Sequence, residues 1–397
     1  VKQGARVGPA RLDSRAVHAG RELRARDPLA PPIVQTSVHV YDDLDDYVEV
    51  SSGRSPGHVY GRNSNENTSM LAAAVADLEG AEAGVACASG MAAIHAAVLA
   101  LVPRPGPIVV TADAYGVTLA MLRADLAPFG YEVREVDLHD LDACARALPG
   151  AAAVLAETIT NPLCRVTDLE AVCRLAAEHG VPVMVDNTFA SPVLCRPLEL
   201  GATLVVHSAT KYLGGHSDLV AGVVAGAEEP VRRARERVVR MGGSLGPFEA
   251  WLALRGIRTL HLRMRRHSDN AFALAHGLAG QPGVAAVHYP LLEGSASEPL
   301  ARRMLPDGAG GMLAVDLAGG RDAVQAMLSG LRMARFAASL AGVETTISYP
   351  DITSHVSLTP EERLALGITP GTVRISTGLE DPQDLLEDFT RSISPSR

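Results

Sequence analysis

Between residues 84 and 226, short apolar runs recur, each followed by a stretch with helical spacing. Residues 84–88, 107–111, 131–136, 152–157, 182–186, 203–207 and 219–226 read as strands. They are brief, apolar and bounded by turn-forming residues, which suits a buried sheet. Among the intervening segments, 117–128 and 168–179 carry apolar residues at helical intervals, and an Ala-rich helix opens at Ser89-Gly90-Met91. Ahead of them, 68–80 has the same period and ends on Gly80, which can stop a helix. The alternation predicts an α/β fold with a mostly parallel sheet.

Beyond it, 248–280 reads as helix broken near Gly256. A smaller α+β unit follows, with strands near 284–288, 311–317 and 372–377 and a closing helix over 381–392. Residues 1–60 carry Pro28, Pro31, Pro32 and Pro56 and little periodicity, which fits either disorder or an arm ordered on a partner subunit. The expected division is therefore an arm over 1–60, a domain over 61–255 and a C-terminal domain over 256–397.

At 397 residues the chain is long enough for more than one core. Its 47% hydrophobic and 20% charged content is that of a globular protein. A net charge of −9 disfavours a nucleic-acid partner, which needs a basic face. The clusters Arg232 to Arg240 and Arg263 to Arg266 have helical spacing and read as solvated helix faces. Five cysteines without C-x-x-C or zinc spacing, and no recognisable secretory leader, predict reduced thiols and a cytoplasmic location. Residues 83–103 lack charge over a length that raises a membrane span, but Ser89-Gly90 turns the chain midway, so none is expected.

Ligands of open α/β sheets sit beyond the carboxyl ends of the strands. One such end reads Ser208-Ala209-Thr210-Lys211, with Gly214-Gly215 just after it. In extended chain the two hydroxyls share a side and can serve one anion. A lysine beside them suits pyridoxal 5'-phosphate, whose aldehyde takes the amine and whose phosphate takes the hydroxyls. The run ending in Asp186 offers a carboxylate for a protonated pyridine nitrogen. At ~4 Å and an effective dielectric of ~20 that attraction is about 4 kcal/mol before desolvation.

Ser89-Gly90-Met91 offers helix-start N–H groups to a phosphate. Asn161 suits a ring oxygen or a substrate carboxylate, and Tyr115 suits ring stacking and proton transfer. Tyr60 and Arg62 are spaced to reach one anion. Arg374, inside an apolar strand pattern, suits a bidentate grip on an α-carboxylate. No dinucleotide fingerprint and no H-E-x-x-H metal motif occurs, and no metal is expected.

Together the pieces Tyr60-Gly61-Arg62, Ala88-Ser89-Gly90-Met91, Asp113-Ala114-Tyr115-Gly116, Asp186-Asn187-Thr188-Phe189, Ser208-Ala209-Thr210-Lys211 and Val373-Arg374-Ile375-Ser376 resemble the cystathionine/methionine-metabolism family of pyridoxal-phosphate enzymes. The resemblance runs from about Leu12 to the last helix. It implies an aminotransferase-like fold of type I and a homotetramer built from two dimers that share active sites. It makes Lys211 the Schiff-base lysine and Asp186 the pyridine partner. Gly90, Met91, Ser208 and Thr210 would hold the phosphate, with Tyr60 and Arg62 coming from the neighbouring subunit. Tyr115 would stack on the ring, and Asn161, Ser339 and Arg374 would face the carboxylate of a small amino-acid substrate.

Members that handle cystathionine look to carry Glu where this chain has Ala338, whereas methionine γ-lyases look apolar there. The expectation is γ-elimination of L-methionine or a related thioether to a 2-oxo acid, ammonia and a thiol. Cystathionine γ-lyase, cystathionine γ-synthase and homoserine sulfhydrylase activities are the alternatives. Val117, Val238-Val239 and Glu66 depart from the family pattern: the γ-lyase branch has Cys and Lys-Asp at the first two places, and the family usually has Pro at the third.

Overall fold

Each expected run of the first pattern overlaps a strand in the computed structural model, which describes residues 11–20, 29–356 and 358–393. These are β1 (Ala83–Cys87), β2 (Ile108–Thr111), β3 (Val133–Val136), β4 (Ala153–Glu157), β5 (Val183–Asp186), β6 (Leu204–Ser208) and β7 (Gly222–Gly226). They form one sheet in the order β1-β7-β6-β5-β4-β2-β3. All run parallel except β7, which is antiparallel to both β1 and β6. The segment from 209 to 221 holds turns and no helix, so it cannot make the crossover that a parallel pair needs.

Alternation along the strands fills two layers. Ile108, Val110, Leu155, Met184 and Val206 join the cluster around the helix Gly90–Leu101. Val109, Val154, Ala156, Val183 and Val185 join the cluster that includes Met70, Leu71 and Val75 of the helix Glu66–Glu79. Each Val, Leu, Ile or Met side chain among them contributes about 1.5–3 kcal/mol when fully buried.

Local chemistry moves several boundaries. The helix expected from Thr68 starts at Glu66, because Asn65 caps it and Thr68 completes a capping box. The helix expected over 117–128 is α only over Gly116–Ala120, then widens to a π-turn over Met121–Leu126 and ends in a 3-10 turn containing Pro128. Two helices within the arm, Leu12–His18 and Leu44–Ser51, were not expected.

The long helical pattern breaks as expected, into Pro247–Ile257 and Leu260–Leu278. Gly256 has a second use: a Cβ there would lie 2.1 Å from the Gly214 carbonyl oxygen, so only glycine lets this helix rest on the turn after Lys211. Arg263 is buried, not solvated as its spacing suggested. It donates to Tyr212 O and Gly256 O, both at 2.7 Å, and so ties the same turn to the helix.

The second sheet contains β8 (Val284–His288), β9 (Met312–Leu317), β10 (Arg335–Phe336), β11 (Thr346–Ser348) and β12 (Thr372–Ser376), in the order β10-β11-β12-β9-β8. The closing helix, Pro382–Ile393, packs on Leu260–Leu278 and Gly320–Gly330. All five cysteines are free and buried. No helix among the described residues is long and apolar enough to cross a membrane.

Candidate active site

The carboxyl ends of β4, β5 and β6 open into a cavity of about 370 Å³ that β12 of the second sheet closes from the far side. Its position follows from the same alternation that builds the core. Glu157, Asp186 and Ser208 extend the rows of Leu155, Met184 and Val206, so they share the face of the helix Gly90–Leu101 and line the cavity.

The adjoining residues Thr158, Asn187 and His207 turn to the opposite face and form a network around Glu79 at the end of the helix Glu66–Glu79. His207 Nε2 and Asn187 Nδ2 lie 2.6 and 2.9 Å from Glu79 Oε1, and Thr158 Oγ1 donates to Asn187 Oδ1 at 2.7 Å. The sheet edge thus carries two polar layers.

Lys211 sits in the turn after β6, with Ser339 Oγ 3.4 Å from its amine. Burial, then the positive Arg374, brings its pKa down to about 8. Asp186 accepts the Thr188 N–H at 2.9 Å, and Thr188 Oγ1 in turn accepts the Ser208 N–H at 2.9 Å. Burial raises the Asp186 pKa, against the opposing pull of Thr188 and His207. A cation placed at Asp186 would relieve that cost.

One end of the cavity is shaped for an anion. Ser89 caps the helix Gly90–Leu101, whose first-turn N–H groups have no partner within the helix. A Cβ on Gly90 would lie 2.7 Å from Ser208 Cβ, so the backbone approaches the strand end directly. The strand stops at Ser208, however, and Thr210 lies in the turn beyond it. The expected extended pair of hydroxyls is therefore absent, although both residues line the cavity. Thr210 Oγ1 is engaged by Ala221, accepting its N–H at 3.0 Å and donating to its carbonyl at 3.2 Å.

At the opposite wall Arg374 is only 5% exposed, so it does not face solvent as a strand arginine ordinarily would. It donates to Asn161 Oδ1 at 3.0 Å and to Ser339 O at 3.2 Å, while its buried Nε has no acceptor among the described residues. Tyr115 lies between these ends. Burial raises its phenol pKa and outweighs the opposing effect of Arg374.

Gly90, Met91, Tyr115, Asn161, Asp186, Ser208, Thr210, Lys211 and Arg374 thus surround one space, with Ser339 beside the lysine. Tyr60 and Arg62 do not join them within this chain; the guanidinium carbon of Arg62 stacks 5.4 Å from the Tyr60 ring centre, outside the cavity. Sequence reasoning gave no role to Glu157 and overlooked Thr353 and Ser354. The latter two reach the cavity from a turn after β11, and a Cβ on Gly116 would meet the Ser354 carbonyl oxygen at 2.1 Å.

A half-buried amine, a cavity-lining carboxyl with no ion-pair partner among the described residues and a helix start too tight for a side chain fit the aldehyde, ring nitrogen and phosphate of one cofactor. On this fold they define a pyridoxal-phosphate enzyme of type I. The chain belongs to the Cys/Met metabolism PLP-dependent enzymes, whose family pattern it matches over residues 13–394. It is 42% identical to the L-methionine gamma-lyase of Pseudomonas putida over 388 residues, covering 96% of this chain and 97% of that one. It is 41% identical to the cystathionine gamma-lyase of Bacillus subtilis over 361 residues, covering 90% and 94% respectively. The solved structure of cystathionine gamma synthase from Xanthomonas oryzae pv. oryzae in complex with cystathionine matches with a TM-score of 0.91 at 38% identity, covering 97% of this chain and 98% of that one.

Proposed function

We propose that this enzyme carries out γ-elimination on L-methionine or a close thioether, releasing a 2-oxo acid, ammonia and a thiol. The observation that carries this reading is that Val117, Val220, Ala338 and Leu340, all uncharged, are among the residues lining the cavity. Such a surface favours a thioether chain and offers nothing to a second ammonium group. The similarity to an L-methionine gamma-lyase supports it.

Arg374, with Asn161 and Ser339, would hold the substrate carboxylate, giving the unpaired Nε an acceptor. Lys211 would supply the amine that links to the cofactor aldehyde and, once released, would move protons at Cα and Cβ. A pKa of about 8 leaves part of it neutral near pH 7, as a base requires. When bound, the cofactor withdraws the electrons left at Cα. Asp186 would keep the ring nitrogen protonated, while Gly90, Met91, Ser208 and Thr210 would hold the phosphate. The phenol of Tyr115, kept protonated by burial, would stack on the ring and deliver its proton to the departing sulfur.

In a steady-state comparison, methionine is expected to exceed cystathionine in kcat/KM, and an acylhomoserine plus a thiol to yield little thioether. The reverse ranking would assign the chain to a cystathionine lyase or to γ-replacement. Ala338→Glu should cut kcat/KM for methionine about tenfold and raise it for cystathionine.

We also infer a cytoplasmic homotetramer in which residues 1–60 form an arm on the neighbouring subunit and bring Tyr60 and Arg62 to its phosphate site. Residues 61–255 would hold the cofactor and 256–397 would complete the carboxylate grip. Val40 and Leu44 in the arm are 89% and 85% exposed, a poor arrangement for a free monomer. If sites are shared, co-assembling Arg62→Ala chains with Lys211→Ala chains should restore activity that neither variant has alone. No recovery in verified mixed oligomers would place each site within one subunit.

A further inference from the structure

One buried carboxyl at the sheet edge has no part in the chemistry above. Glu157 ends β4, is 6% exposed, and is the register partner of Asp186 on the parallel strand β5. Alternation turns both carboxyl groups into the same cavity. Glu157 Oε1 accepts the backbone N–H of Tyr115 at 2.7 Å. Tyr115 starts the helix Gly116–Ala120 without a side-chain cap, and the residue is 37% exposed. What fixes the ring is therefore its backbone, held on one side by Glu157 and followed at Gly116 by the close contact with Ser354.

Of two carboxyl groups at neighbouring strand ends, each disfavours the ionisation of the other. Asp186 has the better claim to the charge, since it accepts the Thr188 N–H, and Thr188 and His207 both pull its pKa down. The groups facing Glu157 are Asp186 from β5, Asp113 from the turn after β2 and Tyr115. Arg165 lies 3.5 Å from Asp113, and Lys211 and Arg374 line other parts of the cavity.

We propose that Glu157 is a positioning residue for Tyr115: it remains a neutral carboxylic acid beside Asp186, and its carbonyl oxygen anchors the backbone that carries the tyrosine ring. Burial first, and the neighbouring Asp186 second, hold its pKa well above the ordinary carboxylate range, and the Tyr115 N–H offsets them only in part.

The positioning half of this inference rests on the proposed role of Tyr115; the protonation half does not. The protonation half is tested on cofactor-free protein, by denaturant unfolding across pH. Because the folded form holds a proton that the unfolded carboxyl releases near pH ~4.3, stability is fully present below that pH. It is lost as pH rises through the folded pKa. Glu157→Gln should flatten this decline. A decline as steep as the parent's would show that Glu157 is not the protonated group.

On loaded enzyme, Glu157→Leu removes the acceptor and should lower kcat about ten- to a hundredfold with a smaller change in KM. Glu157→Gln, which keeps a carbonyl oxygen in place, should recover most of that loss. Equal kcat values for the two variants would overturn the positioning role. Absence of methionine turnover in the parent itself would instead count against the proposed function, and the cofactor-free titration would still decide the protonation state.

Discussion

Lys211→Ala is expected to lower methionine turnover by about 10³- to 10⁴-fold or more, the largest effect of any single change in this chain. Two tasks fall on the one amine: holding the cofactor covalently and moving protons along the substrate. Its surroundings are built for that. The turn carrying it is fastened by Arg263 to Tyr212 O and Gly256 O. Among the described residues the amine meets only the weak 3.4 Å contact to Ser339, so little resists its release. The variant should fold normally and bind the cofactor through the phosphate end, but dialysis should remove it where the parent keeps it. Turnover within tenfold of the parent, in protein shown to be free of parent enzyme, would end the proposed mechanism.

Asp186→Asn comes next, with an expected loss of about 10³-fold in kcat. At ~4 Å and an effective dielectric of ~20, the attraction between this carboxylate and a cationic ring nitrogen is about 4 kcal/mol, and each ~1.4 kcal/mol is a factor of ten in rate. Asparagine keeps the acceptor for the Thr188 N–H and the shape of the strand end, so the loss isolates the charge.

The pH dependence carries a sign as well. In the cofactor-free protein, burial raises the Asp186 pKa, so the group resists ionisation there. Stability from its protonated form is present at low pH and declines as pH rises through that pKa. Cofactor affinity should move the other way, increasing with pH as the carboxylate forms. A cofactor Kd measured across the acid range should show this trend in the parent and much less of it in Asp186→Asn. Equal trends would mean that another group controls the ring nitrogen.

Much of the fold was readable because the strands are short, apolar and separated by helical spacing. Asp186, Lys211 and Arg374 were readable for a related reason, being charged residues at the ends or interiors of strands that are otherwise apolar. What escaped depends on contacts far apart in sequence. Arg263 looked like one more charge on a basic helix face, and only its meeting with the lysine turn makes it buried. The direction of β7 depends on the absence of a crossover helix, which an apolar run does not encode.

Thr210 was placed on an extended strand because spacing alone cannot show where β6 stops. Glu157 stood in plain view before Thr158, yet its meaning comes from its register with Asp186 and its bond to Tyr115, forty-two positions earlier. The polar layer of Glu79, Asn187 and His207 was likewise hidden, since its members come from three separate elements.

The buried cysteines acquire a meaning once the proposed product is considered. An enzyme that releases a thiol works in a medium of its own making, where exchange with oxidised product could cap any accessible sulfur. Burial pushes the thiols of Cys87, Cys164, Cys173 and Cys195 up to about 12, so the nucleophilic thiolate is scarce as well as shielded. The catalyst is thereby insulated from the reactivity of what it produces.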